Sequence, residues 1–298
     1  MREPATGPER TTLAAFAIAV TIGGMNFVAV RFSNRELPPL FGAGARFAIA
    51  AVLLLVVMRL RRSRFPRGRA LVGTVIYGVL SFTAVYALLY WALQSLNAGV
   101  ASVLLASTPL LTLFVVAIHR LEPFRFRGLV GSVIVIGGIA VLANAPADAR
   151  IELLPMLAVL GGALAAGYSG VVLKLFPPAD PVATNATAMA VGSVLLLALS
   201  VATGESWVVP QNASTWLALV YLIVIGSLVL FGLFLFTLSR WTASAVAYMP
   251  ALMPIAAMVF GALIADERVT VAGVAGGAIV LLGVWVGALS GAGTRRSE

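Results

Sequence analysis

Ten separate apolar stretches of about twenty residues run through the chain, and few soluble folds could bury so many. At ~1.5 Å rise per residue, such a stretch crosses a hydrocarbon core of ~30 Å as one helix. The spans read as 12–30, 39–58, 71–92, 97–118, 128–143, 154–173, 184–203, 215–238, 244–264 and 272–290. The fifth is short for a crossing. The expected fold is an all-α membrane protein whose residues 1–298 form a single membrane domain with short connections.

Charge is scarce and unevenly placed. Only 10% of residues are charged, against about 25% in a soluble domain. A net charge of +9 could suggest nucleic acid, but the basic residues sit in loops beside spans, where they set topology. No nucleic-acid partner is expected, and the lipid bilayer is. With the N-terminus inside, the inner segments hold Arg2, Arg10, Arg59, Arg61, Arg62, Arg64, Arg67, Arg69, Arg120, Arg125, Arg127, Lys174, Arg240, Arg295 and Arg296. The outer ones hold Arg31, Arg35, Arg150 and Arg268. Both termini are therefore expected in the cytoplasm. The run Arg59 to Arg69 reads as a topology anchor, with anionic lipid headgroups as a secondary partner. The first apolar run, with no small-residue cleavage site, reads as retained. Cysteine is absent, which excludes disulfide and thiol chemistry.

The chain also repeats itself. A shift of 145 residues aligns Ala98 with Ala243, Pro109 with Pro254, Glu122 with Glu267, Gly128 with Gly273, Gly131 with Gly276 and Gly138 with Gly283. Near the start of each half, Val28 and Arg31 match Val171 and Lys174 at a shift of 143. The expected units are 12–144 and 153–290, each of five helices. An odd number of spans forces the second unit to enter the membrane upside down. Such inverted repeats are a transporter signature, with the substrate site near the midplane between them.

The segment GGMNFVAVRF in the first span resembles the opening of an EamA domain. So do LLYWALQSLNAGVASVLLASTPLL and its repeat partner LFTLSRWTASAVAYMPALMPI, and the tails Glu122–Gly128–Gly131 and Glu267–Gly273–Gly276. The resemblance covers nearly the whole chain. It identifies the sequence as similar to ten-helix members of the drug/metabolite transporter superfamily, and within it to amino-acid exporters of the YddG type. It implies a bacterial inner-membrane protein with helices one to four of each half around a central cavity, and helices five and ten outside.

A carrier needs a mid-membrane cavity, gates and helices that bend. Pro109, Pro250 and Pro254 lie inside spans four and nine, and each frees the carbonyl four residues earlier: Leu105, Val246 and Pro250. Hinge and static kink satisfied by Ser107 or Thr108 are both open, and recurrence in both halves favours the hinge. Tyr86 and Tyr90, four apart, share a face of span three. The expected cavity lining is Asn26, Tyr86, Tyr90, Ser107, Tyr168, Ser169, Phe231, Tyr248 and Met249. Trp91, Trp207, Trp216 and Trp241, near span ends, read as the interfacial belt.

Arg46 lies about seven residues into span two. Pairing with a substrate carboxylate is one reading. Snorkelling outward, or bonding to a neighbouring carbonyl, is preferred. Lys174 reads as a helix anchor, Glu122 and Glu267 as loop-fixing residues, and His119 as interfacial. All eleven acidic residues fall in tails, loops or span ends, which weakens proton coupling through a buried carboxylate. No cofactor or metal cluster and no nucleophile–base set is visible, so an enzyme is not expected. The glycine patterns, Gly283 with Gly287 among them, suit close helix packing within one chain, and a monomer is favoured over a dimer.

The expectation is a secondary carrier that exports small metabolites, amino acids including aromatic ones, by alternating access and facilitated diffusion. An exporter of other metabolites or drugs, with or without proton coupling, is the alternative. A membrane sensor or lipid-acting enzyme is a remote one.

Overall fold

The structure, a computed structural model, describes residues 9–93, 95, 98–142, 153–264 and 270–289. Among these there is no strand. The expected residues Glu267, Arg150, Arg268 and the two tails lie outside the described residues.

Among the described residues nine helices are long and apolar enough to cross a membrane: α1 Arg10–Ser33, α2 Pro39–Leu60, α3 Gly68–Ala92, α4 Ala101–Ile118, α6 Leu153–Leu175, α7 Pro181–Ala202, α8 Ala213–Arg240, α9 Ala243–Ile264 and α10 Val271–Leu289. The remaining one, α5 Phe126–Leu142, is a shorter apolar helix of 17 residues. Among the described residues there are thus nine candidate spans and one shorter apolar helix, and the shorter one is the stretch that the sequence marks as short for a crossing.

Local chemistry explains the boundaries. Pro39 and Pro181 occupy the first turns of α2 and α7, where a missing N–H costs nothing. Asp180 caps α7 by accepting from Ala183 N at 3.0 Å, and Thr270 caps α10 by accepting from Gly273 N at 3.0 Å. Gly204, at φ +73°, takes the left-handed position that ends α7.

The helices associate in pairs across the two halves. The α2–α7 and α5–α10 pairs are extensive. Contact of α1 with α9 is matched by contact of α6 with α4, α1–α8 by α6–α3, and α3–α7 by α8–α2. Exchanging each helix for the one five places along therefore reproduces these contacts. One end of the bundle gathers Glu9, Arg240, Lys174 and Trp241: Arg240 Nη1 is 3.6 Å from Glu9 Oε2, and Lys174 Nζ donates to Trp241 O at 2.7 Å. The start of α1 and the end of α6 thus lie on the same face. The opposite face joins the α1–α2 connection to the α7–α8 connection, where Glu36 accepts from Gln211 N at 3.0 Å and Asn212 N at 3.2 Å.

Among the described residues five helices are irregular. The α3 helix widens to a π-helix over Val79–Ala84, and α8 does so over Val224–Val229. These segments are related by the same shift of 145 that aligns the prolines. A third π segment, Trp285–Leu289, is the last described part of α10. The α4 helix breaks at residues 106–107, just before Pro109, and α9 at residues 247–248, just before Pro250. Pro254, the repeat partner of Pro109, instead lies within the continuous segment Met249–Ile264.

Candidate substrate site

The aromatic side chains of α2, α3 and α8 converge on one interior cluster. Phe82 meets Phe231 at 4.5 Å between ring centroids and Phe47 at 4.9 Å, and Phe47 meets Tyr86 at 5.2 Å. Tyr86 packs on Tyr90 at 6.0 Å. Of the expected lining residues, Tyr86, Tyr90 and Phe231 are therefore brought together. The α3 π segment supplies Phe82, and Phe231 follows the α8 π segment directly. Such bulges change which way the following side chains point.

Arg46 sits in this cluster, 3% exposed. It does not snorkel, nor does it reach a carbonyl. Its Nη2 donates to Tyr86 Oη at 2.6 Å, and its guanidinium carbon lies 4.4 Å from the Phe47 ring centroid and 5.2 Å from that of Tyr86. Its Nε has no hydrogen-bond partner. Ring faces offset about 0.5–2 kcal/mol, whereas desolvating an ion costs several kcal/mol. The partners present do not balance that cost.

A cavity of about 510 Å³ opens beside the cluster, walled by Asn34, Pro39, Leu40, Tyr90, Trp91 and Glu205 among others. Tyr90 thus belongs to both the cavity wall and the cluster. Glu205 is held by the start of α2, accepting from Leu40 N at 3.1 Å and Phe41 N at 2.7 Å. A smaller pocket of about 230 Å³ lies between α1, α5 and α9, where Arg31 and Pro254 contribute to its wall.

The other expected residues lie elsewhere. Asn26 Nδ2 donates to Gly226 O in the α8 π segment at 3.1 Å, and its Oδ1 is buried without a partner. A Cβ on Gly226 would collide with that amide, so glycine is required for the approach. Ser227 Oγ and Thr83 Oγ1, both in π segments, are also buried without partners. Ser107 donates to Leu104 O at 2.6 Å and Ser169 to Ala166 O at 2.7 Å, so both hydroxyls are taken up by their own helices. Tyr168 Oη reaches the exposed His119 Nε2 at 3.1 Å, at the end of α4. Tyr248 points toward α5: it donates to Gly128 O at 3.0 Å and lies 3.0 Å from Ser132 Oγ. Met249 is buried in the packing around it. The carbonyl freed by Pro109, Leu105 O, accepts from Thr108 Oγ1 at 2.7 Å, which matches the kink-satisfying role considered for that hydroxyl.

Glu122 fixes a loop, as expected. It accepts from Ala243 N at 2.7 Å and Ser244 N at 3.3 Å at the start of α9, and from Ser244 Oγ. Sequence reasoning missed the two π segments, although both lie at one repeat offset, and it missed Phe47 and Phe82, which look like ordinary apolar residues.

A family model described as the EamA-like transporter family matches residues 10–144 and again 153–288. An uncharacterized transporter of Archaeoglobus fulgidus is 28% identical, covering 91% of this chain and 96% of its own. The uncharacterized inner membrane transporter YedA of Escherichia coli K12 is 27% identical, over 86% of this chain and 83% of its own. A probable amino-acid metabolite efflux pump of the same strain is 25% identical, over 90% and 92%. A solved crystal structure superposes with a TM-score of 0.80 at 17% identity, over 93% of this chain and 96% of that one, a likeness of fold alone.

Proposed function

Because the chain belongs to the EamA-like transporter family, within the drug/metabolite transporter superfamily, we propose that it is a secondary carrier exporting small metabolites. Amino acids, aromatic ones included, are the proposed substrates, in the manner of YddG-type exporters. It works in a bacterial inner membrane as a monomer with both termini in the cytoplasm. Its two units, 12–144 and 153–290, are inverted repeats that rock around the region where they meet.

The observation that carries this reading is the exchange symmetry of the helix contacts. A pseudo-two-fold axis in the membrane plane would produce it, and alternating access needs such an axis to make its two states alike. Several further features support it. The interrupted α4 and α9, with Pro109, Pro250 and Pro254, supply bend points. The paired π segments in α3 and α8 supply two more. Asn26 with Gly226 joins α1 to the second of these. Ser107, Tyr168, Ser169, Tyr248 and Met249 line the interior of α4, α6 and α9 in this proposal, and they would reach a substrate only in another conformational state.

The acidic side chains of the described residues, Glu9, Glu36, Glu122, Asp180 and Glu205, all lie outside the helices. With no relay carboxylate among them inside a span, facilitated diffusion is the proposed driving mode. The name of the efflux pump in Escherichia coli supports the amino-acid assignment.

The test is uptake of labelled amino acids into proteoliposomes with and without a pH gradient. Saturable, equilibrating flux of an aromatic amino acid that ignores the gradient is expected. Acceleration by an imposed proton gradient would defeat the facilitator reading, and absence of flux for every solute would defeat the carrier.

A further inference from the structure

We propose that Arg46, with Tyr86 and Tyr90, forms a subsite for the carboxylate of the transported solute, and that the aromatic cluster beside it receives the solute's apolar part. This rests on the carrier reading and names the charged end of its substrate. A guanidinium presents five N–H donors in a planar fork. Here Nη2 donates to Tyr86 Oη at 2.6 Å, while Nε is buried with no partner. Among the described residues no carboxylate pairs with it. Glu205, the acid in the wall of the neighbouring cavity, is committed to Leu40 N and Phe41 N.

A buried cation lacking its anion is a place where a mobile anion gains most, because the protein has already borne the desolvation of one partner. The side-on edge of the fork accepts a carboxylate bidentately, a geometry lysine lacks. What surrounds the fork fixes the rest of the ligand. Phe47, Phe82 and Phe231 form an aromatic wall within 4.9 Å of one another along the Phe47–Phe82–Phe231 chain of contacts. That wall suits an aromatic or branched apolar side chain. The route in is also present. Tyr90 lines the cavity of about 510 Å³ and packs at a tilt against Tyr86, so a turn of the Tyr90 ring joins cavity to fork. A solute carrying one carboxylate and one apolar group fits this arrangement. A cationic drug does not.

The experiment uses the full chain in lipid nanodiscs and compares acids with the amides that lack the carboxylate charge: phenylalanine against phenylalaninamide, which keeps its ammonium, and phenylpropionate against phenylpropionamide, which is neutral. Binding is read by equilibrium displacement and by thermal unfolding, and flux is measured in parallel in proteoliposomes. The wild-type protein should prefer each acid by roughly tenfold or more. Arg46→Met should erase that preference, and Arg46→Lys should keep part of it, because the charge remains and the fork does not. Size-exclusion of each variant checks folding. Should Arg46→Met not fold, Arg46→Lys must still narrow the preference. Equal binding of acid and amide by the wild type, failure of either acid to bind, or an undiminished preference in Arg46→Met or in Arg46→Lys would overturn the subsite. Flux of the amides without acid preference would do so while leaving the carrier standing, whereas silence of every solute in the flux assay would remove the carrier reading itself.

Discussion

The α5–α10 seam and the α2–α3–α8 cluster are both packed interiors, yet they are built on opposite terms. In the seam, backbone meets backbone. A Cβ on Gly138 would sit 2.7 Å from Val280 N, and one on Gly283 would sit 2.8 Å from Gly131 O. The buried Tyr248 and Ser132 hydroxyls there both have partners, each within donating distance of Gly128 O and 3.0 Å from the other. In the cluster, side chains meet side chains, and Arg46 Nε, Thr83 Oγ1 and Ser227 Oγ remain unpartnered. Without water in the hydrocarbon region, helices associate through close packing and hydrogen bonds, and the seam maximises both. The cluster forgoes part of that stability, which is the usual mark of a region kept for binding or movement. On the proposed carrier reading, the difference separates a clamp that holds two halves together from a region that works between them.

Breaking the clamp should have the largest effect. Gly276→Leu drives a side chain into the backbone of Leu142 and should cost at least about 1–3 kcal/mol. Fluorescence-detected size-exclusion should show loss of the folded peak. Arg46→Met tests the cluster with the opposite sign. Replacing an unbalanced buried ion by an apolar chain of similar length should raise stability by about 1–4 kcal/mol while lowering flux of carboxylate solutes. A rise in melting temperature together with that loss of flux is the expected pair. Tyr248→Phe removes bonds to Gly128 O and Ser132 at the edge of the seam and should cost about 1 kcal/mol, read as a modest fall in melting temperature. Asn26→Ala should cost less, because one of its two polar atoms is already unpaired, and about 0.5–1 kcal/mol is expected in the same assay.

Much of the architecture was legible in the residues, for a physical reason. A span must be apolar over its whole length, so hydropathy marks every helix, the fifth only as a stretch short for a crossing. The glycines at 131, 276 and 283 were legible as close-packing sites because only a missing side chain permits backbone contact. What could not be read was rotation about each helix axis. In a soluble helix a polar face reports which side is buried, but α2, α3 and α9 are apolar all round. Tyr86 and Tyr248 were therefore indistinguishable as deep tyrosines. The structure turns one toward Arg46 and the other toward Gly128 and Ser132. Arg46 was misjudged for the same reason: snorkelling was preferred because its position gave depth without direction. The π segments carry no composition signal, since Val79–Ala84 and Val224–Val229 contain no proline and only one glycine.

The central proposal is that two equivalent units face opposite ways across the bilayer. The absence of native cysteine makes single-cysteine labelling clean. Ser63, between α2 and α3, and Val208, between α7 and α8, are related by the repeat shift of 145. With a membrane-impermeant maleimide on intact cells, Val208→Cys should label at once and Ser63→Cys only after the membrane is permeabilised. Labelling of both from the same side would contradict the inverted arrangement, and with it the carrier built on it.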